Sequence, residues 1–441
     1  MTDPVTDPAS SFAAVAAEHR RCFWLDGGGA REWSGRRSLL GWLADDDVSL
    51  TYSATTREVV RHASGRAEVV GDDPFAVLEA ELAAGSPTDQ WFGYFGYAAR
   101  ADLPAYSSDS VPDAVWMRPS QVRLFEHPVM SRNSLLAHEA SRHQREFHRL
   151  GGETPAAYRT HFARVQDHLH AGNSYEVNLT YRAEVASELD PATAYLRLRE
   201  LNPAPYAGFL QHDLPGARAW LLSSSPERYA VIDADRRIET KPIKGTTLRG
   251  ATAAEDEEQR RQLAEEPRFR SENLMIVDLL RNDLAMVCEV GSVEVPTLMA
   301  VESYATVHQL VSTVRGRLRD DVTTLGAVRS LFPAGSMTGA PKQRTMEIVQ
   351  EVEDTPRGAY AGAFGWVSAD GRADLGVVIR AMTTTGDGRY RLGTGGGITV
   401  HSDVDEEYAE SRWKAERLLQ VFGPEPTTTA PPAPTPKGNK A

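Results

Sequence analysis

The feature that most constrains this fold is a series of short strand-like segments that follow one another from residue 174 to residue 400. In each of them apolar and β-branched residues alternate with polar ones, and Gly, Asp or Pro separates one segment from the next. The segments are 174–186, 221–232, 236–245, 292–318, 359–368, 372–385 and 389–400. Consecutive strands of this kind pair most readily as antiparallel neighbours. The sequence therefore predicts an α+β fold of antiparallel sheets covered by helices.

Longer helical patterns lie between and after these strands. Apolar residues recur at helical spacing in 154–172, 271–288 and 405–422. Ser271 is a candidate N-cap for the second of these helices. A further, strongly acidic helix is expected to start near residue 251.

The remainder of the chain divides into regions of different composition. Residues 20–150 contain short apolar runs that are typical of strands separated by Gly, Asp and Pro turns. The two ends, 1–16 and 424–441, are rich in Pro, Thr and Ala and are predicted to be disordered. The ordered chain is thus predicted to comprise 17–150 and 151–423.

The composition argues against several classes of protein. No run approaches the ~18 apolar residues of a membrane helix, and the first residues do not have the pattern of a secretory signal. Cys22 and Cys288 are the only cysteines among 441 residues, which favours a reducing cytoplasm over a disulfide framework or a zinc cluster. The formal net charge of −13 argues against nucleic acid or an anionic membrane as the partner. An anionic small substrate stays possible, because a bound cation or local Arg and Lys can reverse the field in one cleft.

Three charged residues share one face of the last predicted helix. Glu407, Glu410 and Lys414 are spaced three and four residues apart. The helix follows a run of glycines, 395–397, that would let the backbone approach a ligand. Two carboxylates one turn apart suit a hard cation that also holds a carboxylate substrate. A solvated charged face with an i,i+4 ion pair is the alternative interpretation.

A third candidate carboxylate is Glu272, near the start of the helix predicted from residue 271. An acid in the first turn of a helix is explained by the helix dipole, and it would also complete a Mg²⁺ site. Farther along the same helix, Asp278, Arg281 and Asp283 are expected to form structural salt bridges.

Three other positions are typical of anion binding or of a surface. Residues 331–349 place Pro, Gly and small hydroxyl residues before a helix, so that amides and hydroxyls would converge on an anion. The segment contains no GK[ST] and is not a P-loop. Arg380 lies in an apolar strand pattern, where a charge is expected only if it faces a cleft and binds a carboxylate. Lys244, which precedes Gly245 in a turn, is by itself most simply a solvated charge.

Several segments, in this order along the chain, resemble the chorismate-utilising enzymes. They are GNSYEVNLT, SSSPERY, PIKGTTLRG, SENLMIVDLLRNDL, FPAGSMTGAPK, AYAGAFGWV and GTGGGITVHSDVDEEYAESRWKAERLL. The family includes anthranilate synthase component I, aminodeoxychorismate synthase component I, and the isochorismate and salicylate synthases. The resemblance covers about residues 155–422. It implies two large antiparallel sheets packed with helices, with 151–423 as the chorismate-binding catalytic region.

The resemblance also implies roles for residues within these motifs. Mg²⁺ is the implied cofactor, with Glu272, Glu407 and Glu410 as its ligands. Glu227 matches the general acid that assists departure of the C4 hydroxyl, and His308 matches an active-site histidine near the substrate ring. The matching substrate-binding positions are Thr246, Ser336, Thr338, Tyr360, Arg380, Gly395, Gly396, Gly397 and Lys414.

Lys244 distinguishes subgroups of this family. The isochorismate and anthranilate members generally carry Ala at this position, whereas PIKGT resembles aminodeoxychorismate synthase component I. In those enzymes the lysine amine attacks C2 of chorismate as the C4 hydroxyl leaves, and ammonia then adds at C4 and expels the lysine. Such a nucleophile splits one difficult displacement into two easier ones. Because the attacking amine must be neutral, the pKa of Lys244 is expected to be lowered by desolvation and neighbouring cations.

Two segments depart from the family pattern. Ammonia-using members generally have Gln where this chain has Glu176, and isochorismate makers have a Lys that activates water. Glu176 is expected either to pair with Lys244 or to assist proton transfer from ammonia, as a fourth catalytic residue. The N-terminal FWLDGGG differs from the segment that family members use around a tryptophan pocket.

The leading hypothesis is synthesis of 4-amino-4-deoxychorismate from chorismate and ammonia, for folate or for 4-aminobenzoate-derived metabolites. Neither Cys22 nor Cys288 lies in a G-x-C-x-G nucleophile elbow, so ammonia is expected from a class I glutamine amidotransferase subunit or free in solution. One alternative is anthranilate synthase component I, which differs in the site of amination and in pyruvate loss. The other is a catalytically idle subunit that binds chorismate or a partner. In that case Glu176, in place of the usual Gln, would indicate that catalytic activity has been lost.

Overall fold

Two antiparallel β-sheets pack face to face in this structure, and helices cover the outer face of each sheet. The computed structural model describes residues 8–27, 37–108, 110–127, 153–304, 307–423 and 428–429. Within these residues every paired strand of the two sheets runs antiparallel to its neighbour. The predicted α+β class with two large antiparallel sheets is confirmed.

Strands and helices both extend along most of the described chain. The strands are β1 (Arg21–Asp26), β2 (Arg37–Trp42), β3 (Ser49–Ser53), β4 (Glu58–Ala63), β5 (Arg66–Gly71), β6 (Gln90–Phe95), β7 (Ala114–Met117), β8 (Gln121–Glu126), β9 (Glu176–Ala186), β10 (Tyr206–His212), β11 (Ala219–Ser225), β12 (Arg228–Ile232), β13 (Arg237–Lys241), β14 (Ile243–Leu248), β15 (Glu294–Ser303), β16 (Val307–Arg317), β17 (Gly339–Ala340), β18 (Ala363–Ser368), β19 (Ala373–Val377), β20 (Ala381–Thr384), β21 (Arg389–Ile398) and β22 (Thr428–Thr429). The α-helices are α1 (Pro8–Glu18), α2 (Pro74–Ala84), α3 (Ala156–His170), α4 (Pro191–Leu201), α5 (Ala253–Glu265), α6 (Pro267–Ala285), α7 (Thr324–Leu331), α8 (Lys342–Val352) and α9 (Val404–Leu419). None of the helices in this described part is both long and apolar enough to cross a membrane.

The two sheets are named sheet I and sheet II. Across sheet I the strands follow the order β17-β9-β21-β20-β11-β10-β1-β2-β8, and β22 also pairs with β9. Across sheet II the order is β14-β16-β13-β12-β19-β18-β6-β7-β3-β4-β5, and β15 also pairs with β16. Each sheet therefore combines strands from both predicted regions, 17–150 and 151–423, so that the N-terminal region completes the same sheets as the C-terminal one.

Alternation along the strands explains how one sheet contributes to two cores. Phe23 of β1 faces sheet II and stacks on Phe92 of β6, with 3.9 Å between the ring centroids. The next residue, Trp24, faces the helices and packs against Phe12 of α1. Successive residues of a strand point to opposite faces, so each strand of sheet I supplies apolar side chains both to the inter-sheet core and to the helix-facing core.

The N-terminal segment forms a helix that the sequence did not predict. Residues 8–16, expected to be disordered, belong to α1, whose Phe12 is fully buried against Trp24 and Tyr195. One aromatic anchor among good helix formers is enough to dock a short helix on a sheet. The prediction of disorder is wrong for these residues, while residues 1–7 and most of 424–441 lie outside the described part of the chain.

Several predicted strands divide where the chain turns or changes sheet. The segment 292–318 is the hairpin of β15 and β16, and 372–385 is β19 followed by β20. The segment 221–232 is β11 followed by β12, which belong to different sheets. A continuous apolar pattern cannot reveal such a break, because each half satisfies the same alternation.

The chain crosses between the sheets twice at one place in the molecule. A short connection that contains Glu227 joins β11 of sheet I to β12 of sheet II, and one that contains Arg380 joins β19 of sheet II to β20 of sheet I. The two crossings are hydrogen-bonded to each other. The backbone N–H of Ser224 donates to the Arg380 carbonyl, and that of Val377 donates to the Glu227 carbonyl, both at 3.0 Å. Both charged residues therefore lie at a junction of the two sheets.

Two helices beside this junction begin at recognisable capping signals. The acidic helix α5 begins after Thr252, which forms a capping box with Glu255. Helix α6 begins at Pro267, earlier than predicted, because Pro is favoured at the first helical position. Ser271 is therefore not the N-cap, and its hydroxyl donates to the Pro267 carbonyl at 2.8 Å. Glu272 lies in the second turn, where the first-turn dipole argument does not explain it.

Candidate active site

One cavity brings together most of the side chains that the sequence singled out. It has a volume of about 130 Å³ and lies beside the junction of the two sheets, between β14, β21, α6 and α9. The predicted residues that line it are Glu227, Lys244, Thr246, Glu272, Ser336, Tyr360, Arg380, Gly395, Gly396, Gly397, Glu407, Glu410 and Lys414. Residues far apart in the sequence thus converge on one small space, which has the size and polarity of a site for a small polar ligand.

Two predicted residues lie away from this cavity. His308 is buried on the opposite side of β16, where Nδ1 is 2.8 Å from Ser303 Oγ and Nε2 is 3.0 Å from Asp256 Oδ1. Because neighbouring strand residues face opposite sides, Gln309 lines the cavity in its place. The structure therefore does not bring His308 near a substrate ring. Thr338 is also fully buried, and its hydroxyl faces the carbonyls of the preceding turn.

Lys244 enters the cavity through a bulge in β14. The pairing register of β14 with β16 shifts between Ile243 and Thr246, and Gly245 has φ +88°. Such a bulge, with glycine in the left-handed region, re-aims a side chain without disrupting the strand. A Cβ on Gly245 would also stand 2.9 Å from the Phe269 ring. The pattern of Lys followed by Gly is thus explained by the turn of the backbone that points the amine inward.

Lys244 forms a buried ion pair with Glu176. Its Nζ donates to Glu176 Oε1, and the two side chains are 10% and 1% exposed. Burial by itself would lower the pKa of Lys244, but the carboxylates of Glu176, Glu272 and Glu227 together raise it above its ordinary value. The expectation of a lowered pKa for Lys244 is therefore wrong for the site without ligands. The charged groups next to Lys244 are carboxylates, and not the cations that were predicted. The expected pairing of Glu176 with Lys244 is confirmed.

The backbone of Gly397 is packed directly against this ion pair. A Cβ at residue 397 would lie 2.0 Å from Glu176 Oε1 and 3.1 Å from Lys244 Nζ. Contacts that short cannot be relieved without moving the ion pair, so glycine is required here by close approach. Among the described residues, the second oxygen of Glu176 has no hydrogen-bond partner.

Glu227 lies on the other side of Lys244 and is arranged as an acid. It is buried, and Ser336 Oγ donates to its Oε1 at 2.5 Å. Burial raises its pKa to about 7, although the Ser336 hydrogen bond and the charge of Lys244 oppose the shift. A carboxyl group with this pKa is about half protonated at neutral pH, which suits a general acid. Glu176, Lys244, Glu227 and Ser336 are named here the Lys244 cluster.

A buried ion pair fixes the turn that carries Ser336. Arg357 donates to the Met337 carbonyl at 2.6 Å and to the Asn178 carbonyl at 2.8 Å, and it pairs with Glu353. The first contact lies on the turn and the second on β9, which carries Glu176. The pair therefore holds two parts of the Lys244 cluster in register.

Arg380 reaches the cavity from one of the crossings between the sheets. Its backbone has φ +49°, an uncommon conformation for a residue other than Gly. Its guanidinium lies 5.6 Å from the Trp413 ring centroid and pairs with none of the described carboxylates. Burial lowers its pKa to about 10, so the group is still charged at neutral pH. A buried guanidinium of this kind favours an anionic ligand, as predicted, although Arg380 lies between two strands and not within one.

A second group of charges lies across the cavity. Arg268 Nε donates to Glu272 Oε1 at 3.1 Å, and Arg268 Nη2 donates to Glu407 Oε1. Lys414 Nζ lies 2.8 Å from Glu410 Oε1 and 3.1 Å from the Gly395 carbonyl. These five side chains (Arg268, Glu272, Glu407, Glu410 and Lys414) are named here the Arg268 cluster. The shared face predicted for α9 is confirmed, and it faces the cavity.

The carboxylates of the Arg268 cluster differ in their environment. Burial and the neighbouring Glu410 raise the pKa of Glu407 to about 7, and burial raises the pKa of Glu272. Lys414 lowers the pKa of Glu410. The two carboxyl groups that Arg268 touches are therefore those for which the loss of water is most costly.

The predicted magnesium ligands suit a hard cation by type and by position. Three carboxylates around one cavity are oxygen donors of the kind that Mg²⁺ prefers, and Gly396 lies beside Glu407, so the strand leaves room at that place. Within the described residues, however, no three acidic, His or Cys side chains stand in the arrangement of a formed metal site. Arg268 lies between two of the predicted ligands, and Lys414 holds the third.

The salt bridges predicted for the three charged residues of α6 are confirmed. Arg281 pairs with Asp278 at 3.3 Å, whereas Asp283 pairs with Lys342 at 2.7 Å. Lys342 is the first residue of α8, and neither it nor the residues after it line the cavity. The anion site predicted at this helix start is therefore wrong, and only Ser336 and Met337 of that segment face the cavity.

Several residues that line the cavity were not predicted, among them Arg268, Asn178 and Gln309. Asn178 donates to the Ser336 carbonyl at 3.0 Å, and its period-2 spacing from Glu176 on β9 could have revealed it. Gln309 could have been found from the same alternation on β16. Arg268 carried no such signal, since its spacing from Glu272 is that of an ordinary helix-surface ion pair.

The two cysteines have no catalytic arrangement. Cys22 is fully buried in β1 and Cys288 is buried beside the end of β16. Burial raises the pKa of both thiols, that of Cys288 to about 11. A thiol that stays protonated is a poor nucleophile, so neither cysteine serves as the nucleophile of glutamine hydrolysis.

Comparison with known proteins shows a family match and close relatives. A family model described as chorismate binding enzyme matches residues 20–420. The chain is 40% identical to the aminodeoxychorismate synthase of Streptomyces pristinaespiralis, over 95% of this chain and 64% of that protein. It is 43% identical to aminodeoxychorismate synthase component 1 of Salmonella typhimurium, over 60% of this chain and 57% of that protein. The chain thus spans less than two thirds of the length of either relative.

A solved structure has the same fold. Anthranilate synthase component I from Streptococcus pneumoniae superposes with a TM-score of 0.70 at 24% identity, covering 95% of this chain and 99% of that one. At this identity the likeness concerns the two packed sheets and their helices. It leaves the chemistry to be argued from the side chains in the cavity.

Proposed function

The chain belongs to the family of chorismate-binding enzymes, and from that premise we propose that it converts chorismate and ammonia to 4-amino-4-deoxychorismate. The observation that carries the proposal is the position of Lys244, which lines the cavity together with Glu227 and is paired with Glu176. The two relatives described above are both named aminodeoxychorismate synthases, which supports the same activity.

The first step is attack by the amine of Lys244. Glu176 accepts a proton from the paired ammonium at Oε1, the oxygen to which Lys244 Nζ donates. The neutral amine then forms a bond to C2 of chorismate. Both ring double bonds shift, C1=C2 to C1=C6 and C5=C6 to C4=C5, the C4–O bond breaks, and Glu227 donates a proton to the departing hydroxyl, which leaves as water.

The second step reverses this displacement with ammonia. Ammonia forms a bond to C4, and both ring double bonds shift back to their positions in chorismate. The C2–N bond breaks, and its electron pair returns to Lys244. Glu227, now a carboxylate, accepts the surplus proton from the new ammonium group, and Glu176 returns its proton to Lys244. Each group ends in its starting state, and the sum is replacement of the C4 hydroxyl by an amine with release of water.

The remaining cavity residues bind and orient the substrate. Arg380 provides a guanidinium for one substrate carboxylate, and Tyr360 and the glycines 395–397 shape the adjoining wall. Glu272, Glu407 and Glu410 would hold Mg²⁺. When bound there, Mg²⁺ would supply positive charge that offsets these carboxylates and favours an anionic substrate.

The ammonia would come from a partner subunit. Both cysteines are buried with raised pKa values, so a separate class I glutamine amidotransferase is the proposed source. The relative from Salmonella typhimurium is named component 1, which is consistent with a second component. A cytoplasmic location is proposed because the chain has two cysteines and both are free thiols.

The direct test is turnover of chorismate by the purified chain with Mg²⁺, with either ammonium or glutamine as the nitrogen source. We expect 4-amino-4-deoxychorismate by mass spectrometry with ammonium, no pyruvate, and no product with glutamine alone. Anthranilate with an equal amount of pyruvate would instead identify an anthranilate synthase. Binding of chorismate without any product would identify an idle subunit.

Trapping tests the covalent step separately. Incubation with chorismate in the absence of ammonia is expected to give an adduct of chorismate minus water in the intact mass. Peptide mapping should place the adduct on Lys244. Product formation without any detectable adduct, in wild type and under acid quench, would favour direct amination.

A further inference from the structure

Arg268 occupies the position between two carboxylates that the proposed cation would need. We propose that Arg268 is an internal counter-ion, which holds Glu272 and Glu407 together in the metal-free enzyme and is displaced from them when Mg²⁺ binds. The inference rests on the metal ligands of the proposed function. It assigns to Arg268 a positioning role that regulates how readily the cation enters.

The contacts show that arginine and cation would compete for the same atoms. Arg268 donates to Oε1 of Glu272 and to Oε1 of Glu407, so its guanidinium lies between one oxygen of each group. A cation bound to both carboxylates must also lie between them, at a distance of about 2 Å from each oxygen. Two positive groups cannot share that space, and one must move.

Burial indicates which partner moves. The side chains of Glu272 and Glu407 are 10% and 2% exposed, whereas that of Arg268 is 31% exposed. Glu407 is further fixed by Ser402 Oγ, which donates to its Oε1 at 2.7 Å. The carboxylates are therefore held in place, and the long, partly exposed arginine side chain has a path to solvent.

The charge of the cluster explains why a counter-ion is needed. Buried carboxylates without a cation are costly, and Glu272 and Glu407 are both buried, with Arg268 as a shared partner. Arg268 lowers this cost in the absence of metal. Its removal should therefore destabilise the metal-free protein and make the vacated carboxylates better ligands for a cation.

Calorimetric titration with Mg²⁺ alone, without chorismate, tests the competition in wild type and in Arg268→Gln. We expect Mg²⁺ to bind the variant about tenfold more tightly, the size of effect that one or two charge-assisted hydrogen bonds at a part-exposed site can produce. Arg268→Lys keeps the charge but not the fork of donors, so an intermediate affinity is expected. Arg270→Gln, an exposed arginine of the same helix, is the matched control and should bind Mg²⁺ as wild type does.

Thermal unfolding gives a second readout that does not depend on activity. The midpoint of Arg268→Gln should lie below that of wild type without Mg²⁺, and saturating Mg²⁺ should raise it by more than it raises wild type. Equal or weaker Mg²⁺ binding by Arg268→Gln than by wild type would overturn the inference. The absence of Mg²⁺ binding in wild type and in all three variants would overturn it too. If Glu407→Gln binds Mg²⁺ as wild type does, the ligand assignment fails and the inference with it, while the product assay still decides the proposed function.

Discussion

The two charge clusters of the cavity differ in how firmly their charges are held. In the Lys244 cluster the paired side chains of Lys244 and Glu176 are 10% and 1% exposed, and a glycine backbone packs against them. In the Arg268 cluster the cationic partners are more exposed, at 31% for Arg268 and 25% for Lys414, and Glu410 is 43% exposed. One cluster is a fixed part of the interior, and the other has charges that can exchange partners.

This difference matches two different tasks. A covalent step needs a nucleophile and an acid held in one geometry, because small displacements of the reacting groups are costly to the rate. Entry of a cation and of an anionic substrate needs charges that can leave their internal partners at low cost, and ion pairs near solvent are weak. The comparison predicts that changes in the Lys244 cluster affect the chemical step and that changes in the Arg268 cluster mainly affect binding.

The largest effect is expected from Lys244→Ala. Loss of the amine that is proposed to attack C2 should lower the rate of 4-amination by about a thousandfold or more, and residual activity should shift toward C2-aminated product. The measurement is product formation from chorismate and ammonium by mass spectrometry. Lys241→Ala, which removes a buried lysine that is paired with Glu302 but does not line the cavity, is the control for loss of a buried cation. A wild-type rate in Lys244→Ala would show that the covalent mechanism is wrong.

The next largest effect is expected from Glu227→Gln. Removal of a general acid typically costs about 10²–10⁴ in rate. Because the pKa of Glu227 is raised to about 7, its acid form is lost as the pH rises through that value, and kcat/KM of wild type should fall there. Ser336→Ala removes a hydrogen bond that lowers this pKa, so the fall should move to higher pH. An alkaline limb that stays in place in Ser336→Ala would contradict the assignment of Glu227 as the acid.

A smaller effect is expected from Glu176→Gln. The carboxylate of Glu176 is the largest of the charges that raise the pKa of Lys244, while burial opposes them. With Gln the pKa of Lys244 should fall, and the rise of kcat with pH should begin at lower pH. The rate at neutral pH is expected to drop by about tenfold, because an acceptor for the lysine proton is lost. A pH profile that does not move would separate Glu176 from the titration of Lys244.

The smallest effect is expected at a glycine beside the Arg268 cluster. A Cβ at residue 396 would meet Glu407 Oε2 at 3.2 Å and Lys414 Nζ at 3.5 Å, both ends of flexible side chains. Gly396→Ala should therefore keep kcat within about threefold of wild type, roughly 0.6 kcal/mol. Gly397→Ala, the matched change beside the Lys244 cluster, should lose most activity, because its Cβ would lie 2.0 Å from Glu176 Oε1. Similar kinetics for both variants would remove the distinction between the clusters.

Local pattern was sufficient for those parts of the site that a single element determines. The spacing of Glu407, Glu410 and Lys414 follows from the helical period and needed no knowledge of the fold. The combination of Lys244 with Gly245 likewise depends on one backbone turn. In the strands, the alternation of apolar and polar residues with a period of two predicted most of the elements and hence the α+β class.

Features that depend on distances between elements could not be predicted in this way. The pKa of Lys244 was given the wrong direction because the three carboxylates around it lie on other elements. A motif match pointed to His308, but which of His308 and Gln309 faces the cavity depends on the strand face, which the motif does not specify. Arg268 looked like half of an i,i+4 surface pair until Glu407, from the last helix, completed the contact.

The two crossings between the sheets also have a consequence for motion. Glu227 and Arg380 lie on connections that share backbone hydrogen bonds and link both sheets, so they should move as one rigid unit. The amides of Ser224 and Val377 are expected to be among the slowest to exchange with solvent deuterium.

Lys244, by contrast, is carried by β14, the terminal strand in the order of sheet II, and Arg268 by the helix beside it. Terminal strands open more readily than internal ones, since they have fewer neighbours to break from. Breathing of the cavity should therefore occur on the β14 side, with the acid and the guanidinium as the stationary wall, and the ion pair with Glu176 fixes Lys244 again whenever β14 closes. The rate at which substrate enters and leaves the cavity would then depend on the fluctuations of β14.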